Sequence, residues 1–256
     1  MNNPTSSKID KYLTIEALED GLTASLSLNA CEYCIDGNEN WKTLEAGAST
    51  ESINVGHTLS FRGRLTPDAT NGIGTFTITK KCNLLGNCMS MLFGDEADVN
   101  FSLAGKTSAF RTLFSYCSTI VNVSPNFLPA TILAQTCYLD MFRQCTSLVQ
   151  APILPATTLV KNCYYRMFRN CISLTTAPVL PAITLVTNCY YQMFRYCSKL
   201  NYIEAYFTTD PSTGCFEWVT SVASTGTFVK NSAAVWDAAG ISGVPEGWTV
   251  ITKAVE

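Results

Sequence analysis

A phrase written several times over limits what this chain can become. The stretch from Cys163 to Cys197 reads CYYRMFRNCISLTTAPVLPAITLVTNCYYQMFRYC and ends almost as it began. Cysteines at 137, 163, 189 and 215 are each 26 residues apart. The units between them align without gaps as CYLDMFRQCTSLVQAPILPATTLVKN, CYYRMFRNCISLTTAPVLPAITLVTN and CYYQMFRYCSKLNYIEAYFTTDPSTG. A weaker copy, two residues longer, begins at Ala109, and a degraded one begins at Cys215. Regular units flanked by altered ones are the signature of a stacked array, whose end units must face water.

Within a unit, Tyr164, Met167, Phe168 and Cys171 fall at i, i+3, i+4 and i+7, which predicts a short helix with one apolar face. The same spacing recurs at Tyr138, Met141, Phe142 and Cys145, at Tyr190, Met193, Phe194 and Cys197, and at Phe110, Leu113, Phe114 and Cys117. These residues form the expected core ladder. Just before each expected helix stands Ser108, Thr136, Asn162, Asn188 or Gly214, all residue types that suit an N-cap. A short strand is expected after each helix, cut to a few residues where Pro152 and Pro178 remove a ladder donor.

The phrase MF-x-x-C-x-x-L, with a proline-bearing turn before it, resembles the leucine-rich repeats of BspA-like bacterial surface proteins. YLTIEALEDG near the start and GVPEGWTV near the end are similar to proteins encoded by gut Bacteroidales and their phages and prophages. The resemblance covers about residues 109–215. It departs in having a longer repeat and an APxLPA element in place of a leucine-rich strand. The repeat and the resemblance together predict a leucine-rich-repeat solenoid of strand-plus-helix coils over 107–214 with a C-terminal cap over 215–256; the short strand runs before it predict a sandwich-like all-β domain over 1–106, so the chain is expected to be α+β. The resemblance implies a surface, adhesion or virion protein with no catalytic motif.

Residues 1–106 lack the period. YLTIEAL, LTASLSL, EYCI, TLSFRGR and GTFTIT are alternating or β-branched runs separated by turn residues, which predicts short strands. A helix is expected around 233–239, with Trp236 and Trp248 covering the open end of the core. No apolar run approaches the ~18 residues of a membrane span, so membrane insertion is not expected. The opening MNNPTSSKIDKY has no hydrophobic stretch and reads as lacking a secretory signal.

Eight of the twelve cysteines follow the repeat, which reads as reduced thiols packed in a core. Cys31 and Cys34 with Cys82 and Cys88 are the one set to weigh as zinc ligands, but the spacing is poor and incidental pairing is favoured. His57, the one histidine, lies near no recognisable nucleophile. Between 109 and 203 the one acid is Asp140, so the repeat cannot supply a carboxylate pair. Neither an enzyme nor a cofactor is expected.

That same span holds seven basic residues and a local charge of +6, so the rest of the chain sums to −9 against a total of −3. Arg143, Arg169 and Arg195 recur at 26-residue spacing just after the core phenylalanine, pointing outward. With Arg166, Tyr165 and Tyr191 they make a candidate stripe for an anion or partner; the alternative is a solvated face. Expected partners are other virion or surface proteins, with host glycan as a further candidate. Nucleic acid is not expected of an acidic chain without a recognised module, and a homo-oligomer is compatible with the sequence. The expected location is a virion, with the bacterial cell surface as the alternative.

Overall fold

The 26-residue period survives in space, but not as the strand-plus-helix coils of a leucine-rich-repeat solenoid, and the expected α+β class gives way to a mostly β one because no α-helix forms in a repeat unit. The computed structural model describes residues 11–255. They form a mostly β fold with three sheets and one α-helix, α1 (Ser90–Phe93). The segments spaced like helices are instead runs of consecutive tight turns. Along the first run, alternate N–H groups close turns on the carbonyl three residues back: Arg111 to Ser108 at 3.1 Å, Leu113 to Phe110 at 3.3 Å, Ser115 to Thr112 at 3.0 Å. The N–H groups between them donate to the next unit: Phe110 to the Cys137 oxygen at 2.8 Å, Thr112 to Leu139 at 2.9 Å, Phe114 to Met141 at 2.9 Å. The second run bonds the third, and the third bonds the fourth, in the same way.

Every fourth residue of a run takes a left-handed φ. These are Ser108, Thr112 and Tyr116, then Thr136, Asp140 and Gln144, then Asn162, Arg166 and Asn170, then Asn188, Gln192 and Tyr196, with φ between 49° and 66°. Such residues end a right-handed helix, so Ser108, Thr136, Asn162 and Asn188 cap none. The stack itself explains the choice. The rings of Phe114, Phe142, Phe168 and Phe194 lie one above another at 5.6, 5.6 and 5.9 Å. Those of Phe110, Tyr138, Tyr164 and Tyr190 do so at 5.9, 5.7 and 5.9 Å. A helix with its side chains is ~10–12 Å across, too wide for neighbours stacked at half that distance. Turn runs fit it and satisfy half of their N–H groups across the gap.

The left-handed residues supply a test. In a helix, Gln144→Gly would cost about 1 kcal/mol. At φ 61° the substitution relieves a clash between Cβ and carbonyl, so denaturant titration is expected to show a gain of about 0.5–1 kcal/mol. A loss would restore the helix.

The five strand runs of the N-terminal part all form: β1 (Leu13–Ala17), β2 (Ala24–Leu26), β3 (Cys31–Ile35), β5 (Thr58–Arg62) and β6 (Phe76–Ile78). Two more join them, β4 (Lys42–Leu44) and β7 (Cys82–Leu85). The main sheet has the order β4-β3-β5-β1-β7-β8, in which β8 (Ile120–Val123) is the strand of the first repeat unit and runs parallel to β7. β2 and β6 pair separately. The two proline-bearing units that follow contribute isolated bridges, Asn122 to Gln150 and Thr176 to Tyr202, rather than strands. Strands resume where AP is absent, as the parallel set β9 (Tyr202–Ala205), β10 (Thr227–Asn231) and β11 (Thr249–Lys253).

One core runs the length of the chain, from Leu13 to Trp248. Phe76 of β6 stacks on Phe114 at 5.5 Å and stands where a preceding unit would place its ring. At the other end the register slips. Tyr190 N–H bonds the Gly214 oxygen, and Phe194 N–H bonds that of Trp218. Gly214 therefore occupies the cysteine column and Trp218 the methionine column, one place earlier than the sequence period indicates. A Cβ on Gly214 would lie 2.7 Å from Cys189 Sγ, so only glycine closes that column without displacing the thiol. The helix expected around 233–239 is absent, and Trp236 there stacks on Phe207 at 5.0 Å. The N-terminal stretch read for a signal lies almost wholly outside the described residues.

Candidate functional site: the outer face of the turn runs

Each four-residue turn sends two side chains inward and two outward, so the outward pairs build columns up the stack. One column is Tyr165, Tyr191 and Phe216, with rings stacked at 4.4 and 5.4 Å. The next is Asp140, Arg166, Gln192 and Glu217, laced together laterally. Arg166 Nη2 donates to Asp140 Oδ2 at 2.6 Å and Gln192 Nε2 to Glu217 Oε2 at 2.7 Å. The third column holds Arg143, Arg169 and Arg195, and the fourth holds Tyr116, Gln144, Asn170 and Tyr196.

The candidate stripe therefore divides into engaged and free members. Arg166 is tied to Asp140, a carboxylate only 5% exposed. Arg195 pairs with Glu217 and donates to the Tyr196 hydroxyl at 2.9 Å, and that hydroxyl and Glu217 hold its guanidinium above the ordinary value. Tyr165 and Tyr191 cover one another. Arg143 and Arg169 meet no carboxylate among the described residues. Arg143 lies over the Tyr116 ring at 5.3 Å, and Arg169 over the Tyr196 ring at 5.7 Å with one bond to Gln192 Oε1 at 3.1 Å. Partial burial and the neighbouring Arg143, Arg195 and Arg166 push the Arg169 guanidinium below its ordinary value.

Sequence reasoning missed Tyr116, Tyr196 and Phe216, which are 59%, 37% and 49% exposed. The first two share a column with Gln144 and Asn170, so no repeated letter marks them. Phe216 belongs to the tyrosine column only through the one-residue slip at Gly214.

Elsewhere among the described residues, Tyr202, Tyr206 and Lys253 donate to Glu204 on the C-terminal sheet. His57 Nδ1 and Asp36 Oδ2 form a largely exposed pair at 2.7 Å. Among the described residues, no group of three or more His, Cys, Asp or Glu side chains is placed to hold a metal ion. A cavity of about 410 Å³ beside β5 is lined by Cys31, Glu32, Arg62, Arg64 and Asp95. Its Arg62 is already bonded to Glu32 and Asp95, each at 2.9 Å. No helix among the described residues is long and apolar enough to cross a membrane.

All twelve cysteines are free and buried. Those at 117, 145, 171 and 197 donate Sγ–H to the carbonyls of Phe76, Phe114, Phe142 and Phe168 at 2.9–3.2 Å, a thiol ladder between units. Burial pushes Cys31 up to about 12 and Cys189 up to about 11, so thiolate, the nucleophilic form, is scarce at neutral pH. The native protein at pH 8 is expected to resist a thiol reagent and to titrate twelve thiols once unfolded. One fast-reacting thiol would instead mark an accessible nucleophile.

No protein-family model, curated protein or solved structure matches this chain.

Proposed function

We propose that this chain is a non-catalytic structural and contact protein, a component of a phage particle, that presents the outer face of its turn runs to a partner. The observation that carries the reading is the face itself: ordered columns of aromatic and arginine side chains, some exposed, built by repetition. Aromatic residues and arginine are enriched where proteins bind one another. The groups that the sequence singles out for covalent or acid–base chemistry are covered or engaged. The thiols are buried, Asp140 is bound to Arg166, and His57 is paired in an exposed turn.

Quantitative mass spectrometry of purified phage particles beside the host envelope fraction tests the assignment. Stoichiometric copies in the particles are expected. Enrichment in the envelope would overturn the phage reading in favour of a bacterial surface adhesin.

A further inference from the structure

We propose that β11 is a dimer edge, which pairs antiparallel with β11 of a second copy of this chain across a two-fold axis. Two three-stranded sheets then join into one. The inference goes beyond the contact-face reading and uses none of its residues. It starts from backbone alternation. Thr249 N–H donates to the Gly226 oxygen at 2.9 Å, and the Lys253 oxygen accepts from Ser232 N–H at 2.9 Å. Residues 249, 251 and 253 therefore face β10, while Val250 and Thr252 turn their N–H and C=O groups away from it. Among the described residues nothing pairs with that outer edge. Every residue of the strand is exposed, Val250 by 46% and Ile251 by 49%.

The other sheet edges are closed or guarded. β8 is continued by Val149 and Gln150, and β9 by Ala177 and Leu180. Thr50 N–H bonds the Ala24 oxygen of β2, and β6 bonds the Leu113 oxygen through Phe76 N–H. β4 is three residues long and carries the Lys42–Glu51 ion pair. Short length and charge are ordinary ways to blunt an edge. β11 holds no proline, and its one charge is withdrawn: Lys253 Nζ donates to Glu204 Oε1 at 2.8 Å, back on β9. Such an edge is a template for another strand.

The order of residues in TVITK suits its own copy as that strand. With the axis at Ile251, Val250 of each copy exchanges both backbone bonds with Thr252 of the other, so every outward N–H and C=O of the pair is used. Ile251 meets Ile251 of the second copy in the closer, non-hydrogen-bonded kind of pair, where β-branched side chains pack well. Lys253 falls opposite Thr249, and each Lys253 keeps its own Glu204 as counter-charge. No like charges are opposed. An axis at Val250 or Thr252 would instead set Ile251 against Thr249 or Lys253.

The test is the mass of the purified full chain, measured by light scattering over a concentration series. A reversible dimer is expected. Ile251→Lys sets two like charges face to face and should weaken it at least tenfold. Thr252→Pro removes an outward N–H, leaves the bonds to β10 in place and should weaken it as much. Both changes lie on an exposed strand, so tryptophan emission and the denaturant midpoint should stay near those of the parent. Tyr196→Ala, on the contact face, should leave the mass unchanged. Ile251→Cys should oxidise to a disulfide-linked dimer far faster than Thr249→Cys, whose opposite residue is Lys253. All native thiols are buried, so the introduced one is the accessible one.

A monomer at the highest soluble concentration, a dimer that survives both edge variants, or Ile251→Cys linking no faster than Thr249→Cys would overturn the proposal. None of these outcomes touches the copy number in particles, so the two readings fail separately.

Discussion

Phe168→Ala is expected to cost about 3–5 kcal/mol and to break the cooperativity of the stack. The ring is fully buried between those of Phe142 and Phe194, at 5.6 and 5.9 Å with nearly parallel planes. Truncation therefore opens a void against two units at once. It also removes two stacked pairs, each worth about 0.5–1.5 kcal/mol beyond area burial. Neither neighbour can collapse into the gap, because its backbone is held: Phe142 N–H bonds the Met167 oxygen at 3.0 Å, and Phe168 N–H bonds that of Met193 at 3.0 Å. Tyr165→Ala on the outer column should cost far less, about 1 kcal/mol, since its ring is half-buried and water replaces it. Urea unfolding of the two variants gives the comparison. A Phe168→Ala cost below about 1 kcal/mol would mean that the aromatic column does not hold the stack together.

The repeat, the core letters and the N-terminal strands could all be read from the sequence, because period and alternation report directly which side chains go inward. The backbone that carries the repeat could not. A turn run that sends two residues in and two out has period four, so Phe110, Leu113, Phe114 and Cys117 face inward together as they would on a helix. The apolar pattern is the same for both. What differs is the fourth-residue φ, and the hint lay in polar residues such as Asp140, Asn162, Asn170 and Asn188, types that tolerate the left-handed region. The first of each series, Asn162 or Asn188, reads as a cap because one such residue before a helix looks the same as the start of a turn run. The expected strand-plus-helix coil fell with that reading.

The candidate site was legible to a similar depth. Arginines following the core phenylalanine had to point outward, and they do. Which of them are free depends on partners one unit away, Asp140 for Arg166 and Glu217 for Arg195. The second pairing is set by the slipped register of the last unit. Gly214 decides that slip by leaving room for Cys189 Sγ, a steric fact that no periodicity contains.

Gly226→Val is expected to detach the C-terminal sheet from the stack. Gly226 precedes β10, and its φ is not left-handed, so space alone decides the outcome. A Cβ there would press into the Asn201 carbonyl, 2.9 Å from its carbon, and would lie 2.8 Å from Trp248 Cε2. The backbone has little freedom to yield. Thr227 N–H donates to that same Asn201 oxygen at 2.8 Å, and Thr249 N–H donates to the Gly226 oxygen at 2.9 Å. To make room, β10 must leave β9, which opens the end of the core where Trp218 meets Phe228 and Phe207. The expected cost is about 3 kcal/mol, the upper range for overpacking against atoms that cannot move. Gly63→Ala should be milder, because its closest contact would be the flexible Leu65 side chain at 3.1 Å. Three of the four tryptophans sit at this end of the molecule, so intrinsic fluorescence should shift to the red for Gly226→Val at denaturant concentrations that leave the aromatic stack folded. An unchanged midpoint would mean that β9 and β10 do not pair in parallel at this register, and with it would go the account of how the stack is closed.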